Sequence, residues 1–316
     1  MESAVFADGI QREREPMTSD ATTTHAYSGN PRVGFLGVGI MGEPMAGNLV
    51  SSGVELAIWN RSAPAVERLV ADGARAAASV DELFASCEVV LMMLSTEQVI
   101  DDTLQRGTAA FDRLLAGTTL VHLGTTSPEF SVALERDVLA AGGRYVESPV
   151  SGSREPARRR ELVGMLAGHP DAVDDVRPIV DLLCASTTVC GPVPSGLTMK
   201  IAVNVFLITT VAGLAETFAF ARAAGLDVEQ LRGILDVGQM SSPISRVKTA
   251  KLVAGDLSPQ AAIADVLKNC DLVLNAARGT ATEIPLMDVC RDLFAQAVDR
   301  GDGALDMAAV RPDAVG

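Results

Sequence analysis

From Arg32 the chain alternates short apolar runs with amphipathic stretches. Arg32-Val33-Gly34-Phe35-Leu36-Gly37, Val54 to Trp59, Glu88 to Leu94, Thr118 to Leu123, Arg144 to Glu147 and Leu162 to Ala167 read as strands. Residues Met41 to Ser51, Ala63 to Ala71, a segment opened by Ser79 as N-cap, and Ser127 to Ala141 read as helices between them. Continuous apolar strands such as Val89-Val90-Leu91-Met92-Met93-Leu94 suit a parallel sheet covered on both faces. The alternation therefore predicts an α/β fold with a doubly wound parallel sheet. At Gly191-Pro192-Val193-Pro194-Ser195-Gly196 the pattern breaks. Beyond it the periodicity is helical over about Leu197–Ala224, Val228–Gly238, Ser242–Val253, Gln260–Arg278 and Pro285–Asp299. The division expected is a polar, disordered tail over 1–30, a sheet domain over 31–194, and an all-helical domain over 195–316.

Composition narrows the function. Lys and Arg number 26 against 40 Asp and Glu, a net charge of -14, which argues against a nucleic-acid surface but leaves room for one local phosphate site. The five cysteines form no CxxC, and the three histidines are scattered, so neither a disulfide framework nor a His-rich metal site is expected. The first 30 residues lack an apolar signal region. The apolar run Ile201 to Ala215 is short for a membrane span and interrupted by Asn204; a helix buried between domains or subunits is expected instead. A cytoplasmic protein with no membrane partner follows as the expectation.

The first strand leads into Gly37-Val38-Gly39-Ile40-Met41-Gly42, a GxGxxG loop followed by a helix and a second strand. In that context Gly37 permits the tight turn, Gly39 leaves room for a pyrophosphate, and Gly42 allows close helix–strand packing. Gly37, Gly39, Ile40, Met41 and Gly42 thus form the candidate phosphate cradle. The second strand ends in Asn60-Arg61-Ser62, with no carboxylate to repel a 2′-phosphate, which points to NADPH over NADH. Leu94-Ser95-Thr96 and Gly124-Thr125-Thr126 follow later strands, where ligands approach an open sheet, although Ser and Thr there also cap helices. Lys200 and Asn204 lie four apart on one helix face. A lysine at that junction, at the start of an apolar helix, is expected to be partly desolvated with a lowered pKa. It serves equally well as a proton donor to a reduced carbonyl or as a side chain snorkelling from a buried helix. Ser151 and Gly152 follow a strand and could hold a carboxylate; Lys268 lies on a helix of the second half.

Together these residues resemble the β-hydroxyacid dehydrogenase family, over about Pro31 to Val310. The resemblance rests on four motifs in order: Val33 to Ala46, Ser148-Pro149-Val150-Ser151-Gly152, Gly196 to Asn204 as GxxxKxxxN, and Lys268-Asn269. It implies Lys200 as general acid/base and Asn204 as its orienting partner. It further implies Ser151 and Gly152 on the substrate carboxylate, Thr125 beside substrate and nicotinamide ribose, and Lys268 over the cofactor. It also implies a Rossmann-like NADP-binding domain over 31–194, joined by a long interdomain helix to an all-helical domain over 195–316 that binds substrate and pairs subunits into a homodimer or homotetramer. Ser151-Gly152-Ser153-Arg154-Glu155-Pro156-Ala157 and Gln239 to Pro243 are most similar to the glyoxylate/succinic semialdehyde reductase branch, typically NADPH-dependent. Four positions depart from the pattern: His122 stands for a usual Asp, Arg160 for a Gly, Asn269 for an Asp, and Ser245 for an aromatic. The last two put glyoxylate itself in doubt and suggest a different or bulkier carbonyl. The resulting expectation is reduction of a small aldehyde or keto acid to its hydroxy acid, or the reverse. Imine reduction and a non-catalytic NADPH-binding role are the alternatives, and both are disfavoured by the retained Lys200.

Overall fold

A computed structural model describes residues 30–311; the expected tail over 1–30 lies almost wholly outside the described residues. Strands β1 (Val33–Leu36), β2 (Leu56–Trp59), β3 (Arg75–Ala76), β4 (Val89–Met92), β5 (Thr119–His122) and β6 (Arg144–Glu147) run parallel in the order β3-β2-β1-β4-β5-β6. Phe35 in the middle of β1 faces Ile58 on one side and Leu91 on the other, all three fully buried. Strand order reverses at β1, so the carboxyl ends of β1 and β4 diverge into a crevice, the usual place for a ligand in an open α/β sheet.

Both faces are covered, which is why these strands are apolar throughout. One layer packs Phe35, Ile58 and Leu91 under Met45 and Leu49 of α1 (Gly42–Ser51), Leu69 of α2 (Ala63–Ala71) and Val176 of α8 (Pro170–Asp181). The other packs Leu36, Val90 and Leu120 under Leu83 of α3 (Val80–Ser86), Leu104 of α4 (Glu97–Leu104), Phe111 of α5 (Ala109–Leu115) and Leu134 of α6 (Pro128–Ala140). Ser79 caps α3 as its sequence predicts, its hydroxyl accepting the Glu82 N–H at 3.1 Å.

The sheet departs from the predicted all-parallel arrangement. Strand β8 (Leu162–Gly168) runs antiparallel to β6 and to the two-residue β7 (Val150–Ser151). Between β7 and β8 lies only the five-residue α7 (Arg154–Arg158), too little chain for a parallel crossover, which takes a dozen residues or more. Strand β9 (Cys184–Gly191) then pairs parallel to β8. It is a polar edge strand, mostly solvent-facing, and so carries no apolar run in the sequence.

Helices follow: α9 (Ser195–Ala223), α10 (Val228–Val237), α11 (Pro243–Ala254), α12 (Ile263–Gly279) and α13 (Pro285–Asp299), closed by a 3₁₀ turn at Met307–Ala309. Ile201, Ile208, Val211 and Ala215 of α9 pack with Val266, Cys270 and Val273 of α12 and Cys290 and Phe294 of α13. The buried pair Lys248–Asp306 (2.8 Å) ties α11 to the final turn. Among the described residues α9 alone is long and apolar enough to cross a membrane by length and composition. One side of it is the spine of the helical layer; the other leaves Phe206 and Phe220 exposed at 73% and 70%. The expected burial of the Ile201–Ala215 run is thus one-sided within a single chain. All five cysteines are free, four of them buried.

Candidate active site

The glycine loop has the geometry its sequence demands. Gly37 sits at φ +96°, and a Cβ there would lie 2.4 Å from the Met93 carbonyl and 2.8 Å from Leu94. A Cβ on Gly42 would come within 2.0 Å of the Gly37 carbonyl, so only glycine lets α1 start this close to β1. Gly39 is different: nothing of the protein lies within 4 Å of its would-be Cβ. It is needed by no neighbour in the chain and suits the approach of a ligand. Beside it Ile40 is 60% exposed, and Met41 at the N-cap offers no side-chain cap to α1. In the first turn Pro44 has no N–H and the Glu43 N–H donates to the Gly39 carbonyl at 2.9 Å, which leaves the Gly42 N–H for an anion. The one carboxylate nearby, Glu43, is drawn off by Arg68 through two bonds of 2.6 and 3.0 Å, and that pairing holds its pKa below the usual carboxylate value.

At the end of β2 the Asn60 amide donates to the Ser62 hydroxyl (2.9 Å) and carbonyl (3.1 Å), folding the turn back on itself. Arg61 is exposed beside it, with no hydrogen bond or ion pair among the described residues. A neutral turn with a free guanidinium suits a 2′-phosphate and offers nothing a 2′-hydroxyl would need from a carboxylate.

Further along the carboxyl edge, Leu94 packs over the Gly37 turn. The Thr96 hydroxyl accepts the Val99 N–H at 3.2 Å as the cap of α4. Thr125 is half-buried, and its carbonyl accepts a bond from Lys268 Nζ at 3.2 Å. Lys268 also donates to the Ser95 carbonyl at 2.5 Å. It is a latch from α12 in the helical layer to the loops after β4 and β5, and burial lowers its pKa. Two neutral carbonyls hold its charge, with no carboxylate within salt-bridge reach among the described residues.

The remaining residues come from β7 and α9, which pack against each other. Ser151 ends β7 half-buried; Gly152 follows at φ +133°, where a Cβ would strike Leu162 at 2.6 Å. Lys200 is only 7% exposed and has no hydrogen-bond or ion-pair partner among the described residues, and burial pushes its pKa down from 10.5 to about 8. Asn204, one turn on, is likewise buried and unpartnered. Neither polar end is fully enclosed, so the two open on one helix face to space that a ligand can fill.

Of the departures from the family pattern, Arg160 takes the left-handed conformation of the glycine it replaces, at φ +61°, and its guanidinium donates to the Asn48 carbonyl at 3.3 Å. Ser245 is buried in a capping box with Ser242, its hydroxyl accepting the Ser242 N–H at 2.8 Å. Asn269 is half-buried and makes no hydrogen bond among the described residues. Arg158 and Arg160 stand exposed, Arg158 within 4.0 Å of Glu155. The residue that sequence reasoning passed over is Glu147, fully buried at the end of β6. Its only signal is a carboxylate at the last position of β6, directly after Tyr145 and Val146.

Residues 32–191 match the NAD-binding domain of 6-phosphogluconate dehydrogenase, and residues 195–312 match the NAD-binding region of NADP-dependent 3-hydroxyisobutyrate dehydrogenase. The chain belongs to the β-hydroxyacid dehydrogenase family. It is 28% identical to glyoxylate/succinic semialdehyde reductase 2 of Arabidopsis thaliana, covering 93% of this chain and 82% of the relative. It is also 28% identical to 2-hydroxy-3-oxopropionate reductase of Escherichia coli, over 88% of this chain and 95% of that one. The fold is shared with a 3-hydroxyisobutyrate dehydrogenase structure from Salmonella typhimurium at TM-score 0.81 and 24% identity, covering 88% of this chain and 98% of that one. This enzyme is thus an NAD(P)-dependent oxidoreductase of the type acting on CH–OH groups. Its cofactor is NADP(H), in agreement with the carboxylate-free turn at Asn60–Ser62.

Proposed function

We propose that the enzyme reduces a small aldehyde or keto acid to its hydroxy acid with NADPH, or runs the reverse oxidation. The observation that carries the reading is Lys200: a buried, unpartnered ammonium with a pKa near 8, one turn from unpartnered Asn204. In this reading the cradle Gly37–Gly42 and Arg61 hold the dinucleotide phosphates, with Leu94, Thr96, Thr125 and Lys268 along its nicotinamide half. The chemistry supplied there is hydride transfer to the carbonyl carbon. Lys200 Nζ gives its proton to the carbonyl oxygen as that oxygen becomes an alkoxide, and in the oxidative direction the free amine takes it back. Asn204 orients the same oxygen. The Ser151 hydroxyl and the Gly152 N–H, unobstructed for want of a side chain, hold the substrate carboxylate. The Lys268 latch keeps the helical layer closed over the cleft, which excludes water and strengthens the electrostatic effect of Lys200.

A free ammonium suits a carbonyl oxygen better than an imine nitrogen, which must already be protonated to accept hydride. A panel of short aldehydes, keto acids and cyclic imines, followed by NADPH consumption, tests the proposal. Turnover of carbonyls only is expected, and turnover confined to imines would overturn it. The exposed stripe Met199, Phe206 and Phe220, spaced by multiples of seven along α9, is the face proposed to pair two copies into a dimer.

A further inference from the structure

The helix that carries Lys200 begins against a buried acid. Glu147, the last residue of β6, has no solvent exposure. Its Oε2 accepts the Leu197 N–H at 3.1 Å, and the Gly196 N–H also faces the carboxylate. Its Oε1 accepts the Ser131 hydroxyl in a very short bond. Gly196 is what allows the approach. A Cβ there would lie 3.0 Å from Glu147 Oε2 and 2.7 Å from the Met165 carbonyl of β8. The first glycine of GxxxKxxxN therefore has a packing role: it lets the start of α9 settle on a carboxylate in the sheet.

The contact continues inward. Ser131 Oγ lies 2.8 Å from the Tyr145 hydroxyl, and Tyr145 lies 2.9 Å from His122 Nδ1. Every member is buried. Burial raises the Glu147 pKa; as the carboxylate it accepts at both oxygens, and in that state the chain has one direction. His122 Nδ1–H donates to Tyr145, Tyr145 to Ser131, and Ser131 to Glu147. This fixes the neutral His122 tautomer with the proton on Nδ1; burial, then the charge of Lys268, holds the imidazole pKa near 4. His122 Nε2 is then a bare acceptor without a partner, 3.2 Å from the would-be Cβ of Gly124 in the loop that receives Lys268. The chain thus runs from beneath the latch to the N-terminus of the Lys200 helix.

We propose that Glu147 is a positioning residue for the reduction: it fastens the first turn of α9 to the sheet and thereby fixes where Lys200 and Asn204 stand relative to the bound cofactor. A carboxylate at a helix N-terminus also meets the positive end of the helix dipole, so the anchor suits that site electrostatically. The inference rests on the proposed role of Lys200.

The test uses the full chain, with NADPH varied up to saturation. Glu147→Gln keeps the shape but puts an amide donor where an acceptor is needed, against either Leu197 or Ser131. The expected result is a fall in kcat of about tenfold or more with KM for NADPH within about twofold, because small displacements at a reacting centre carry large rate effects. Faster amide exchange should accompany it, confined to the first turn of α9. Unchanged kcat, or exchange loosened evenly across the sheet, would overturn the proposal. Should Glu147→Gln fail to fold, Ser131→Ala removes a single donor to the carboxylate. A kcat reduced about threefold with unchanged KM for NADPH supports the anchor, and an unaltered kcat refutes it. Lys200→Met separates the two readings: if it retains turnover the role of Lys200 fails. If it loses turnover while Glu147→Gln does not, only the anchor fails.

Discussion

Replacing Lys200 with Met should make the protein more stable and nearly inactive at once. Lys200 is charged at pH 7 in a site where burial has moved its pKa from 10.5 to about 8. At about 1.36 kcal/mol per pH unit, holding that charge costs the folded state about 3 kcal/mol at neutral pH. The sign follows from proton binding. Between pH 8 and 10.5 the unfolded chain keeps the proton that the folded chain has released, so the wild-type penalty shrinks as pH rises and is gone above the unfolded value. Met keeps most of the lysine stem and none of the charge. Urea unfolding followed by circular dichroism should show Lys200→Met more stable by about 2–3 kcal/mol at pH 7, with the gain closing toward pH 11. NADPH binding, measured by fluorescence, should be unchanged, while turnover falls by at least about a hundredfold, the usual range for a lost general acid. In the wild type, reduction should fall as pH rises through about 8, because it needs the ammonium, and oxidation should rise through the same pH. A variant that is less stable than wild type at pH 7, or that turns over at near-normal rate, would refute the buried-acid argument.

Arg61→Ala should raise the Kd for NADPH by about tenfold or more and leave that for NADH nearly unchanged, read by cofactor titration; equal effects would remove Arg61 from the 2′-phosphate site. Lys268→Ala deletes both bonds of the latch, at 2.5 and 3.2 Å, and should raise KM for NADPH more than it lowers kcat. An effect on kcat alone would place Lys268 in the chemical step instead. Arg160 stands at φ +61°, so Arg160→Gly should be more stable than Arg160→Ala by about 1 kcal/mol in urea unfolding, since only glycine relieves the left-handed strain. Equal stability would show that the backbone stores no strain there.

What could be read in advance was whatever is encoded locally. The GxGxxG loop, the strand ends and the Ser79 cap each depend on a few neighbouring residues, and the structure places them as the periodicity predicts. The antiparallel turn of β8 was illegible because it follows from too short a connection through α7, and a strand's direction leaves no mark in its own residues. Strand β9 was missed because an exposed edge needs no apolar run. At the site, Lys200 and Asn204 were visible through their spacing, and the desolvation of Lys200 through its place at the start of an apolar helix; its lack of a partner was not. Glu147 was hidden for the opposite reason. Its partners Ser131 and Leu197 lie 16 and 50 residues away, a relation only the folded sheet creates.

The charge pattern explains how an acidic protein accommodates an anionic cofactor. The chain carries -14 overall, and many of its cations are already neutralised in pairs such as Arg106–Asp137, Arg144–Asp175 and Lys248–Asp306. Arg61, Lys200 and Lys268 have no carboxylate within salt-bridge reach among the described residues, and all three stand among the candidate site residues. A paired cation projects little field, whereas an unpaired one in a partly desolvated cleft attracts an anion over several ångströms. In the proposed reading the dinucleotide phosphates and a substrate carboxylate meet these local charges rather than the net charge, which is screened within about 8 Å at physiological salt. On this argument salt should weaken NADPH binding through Arg61 far more than it affects proton transfer at Lys200, because the first charge is exposed and the second is buried.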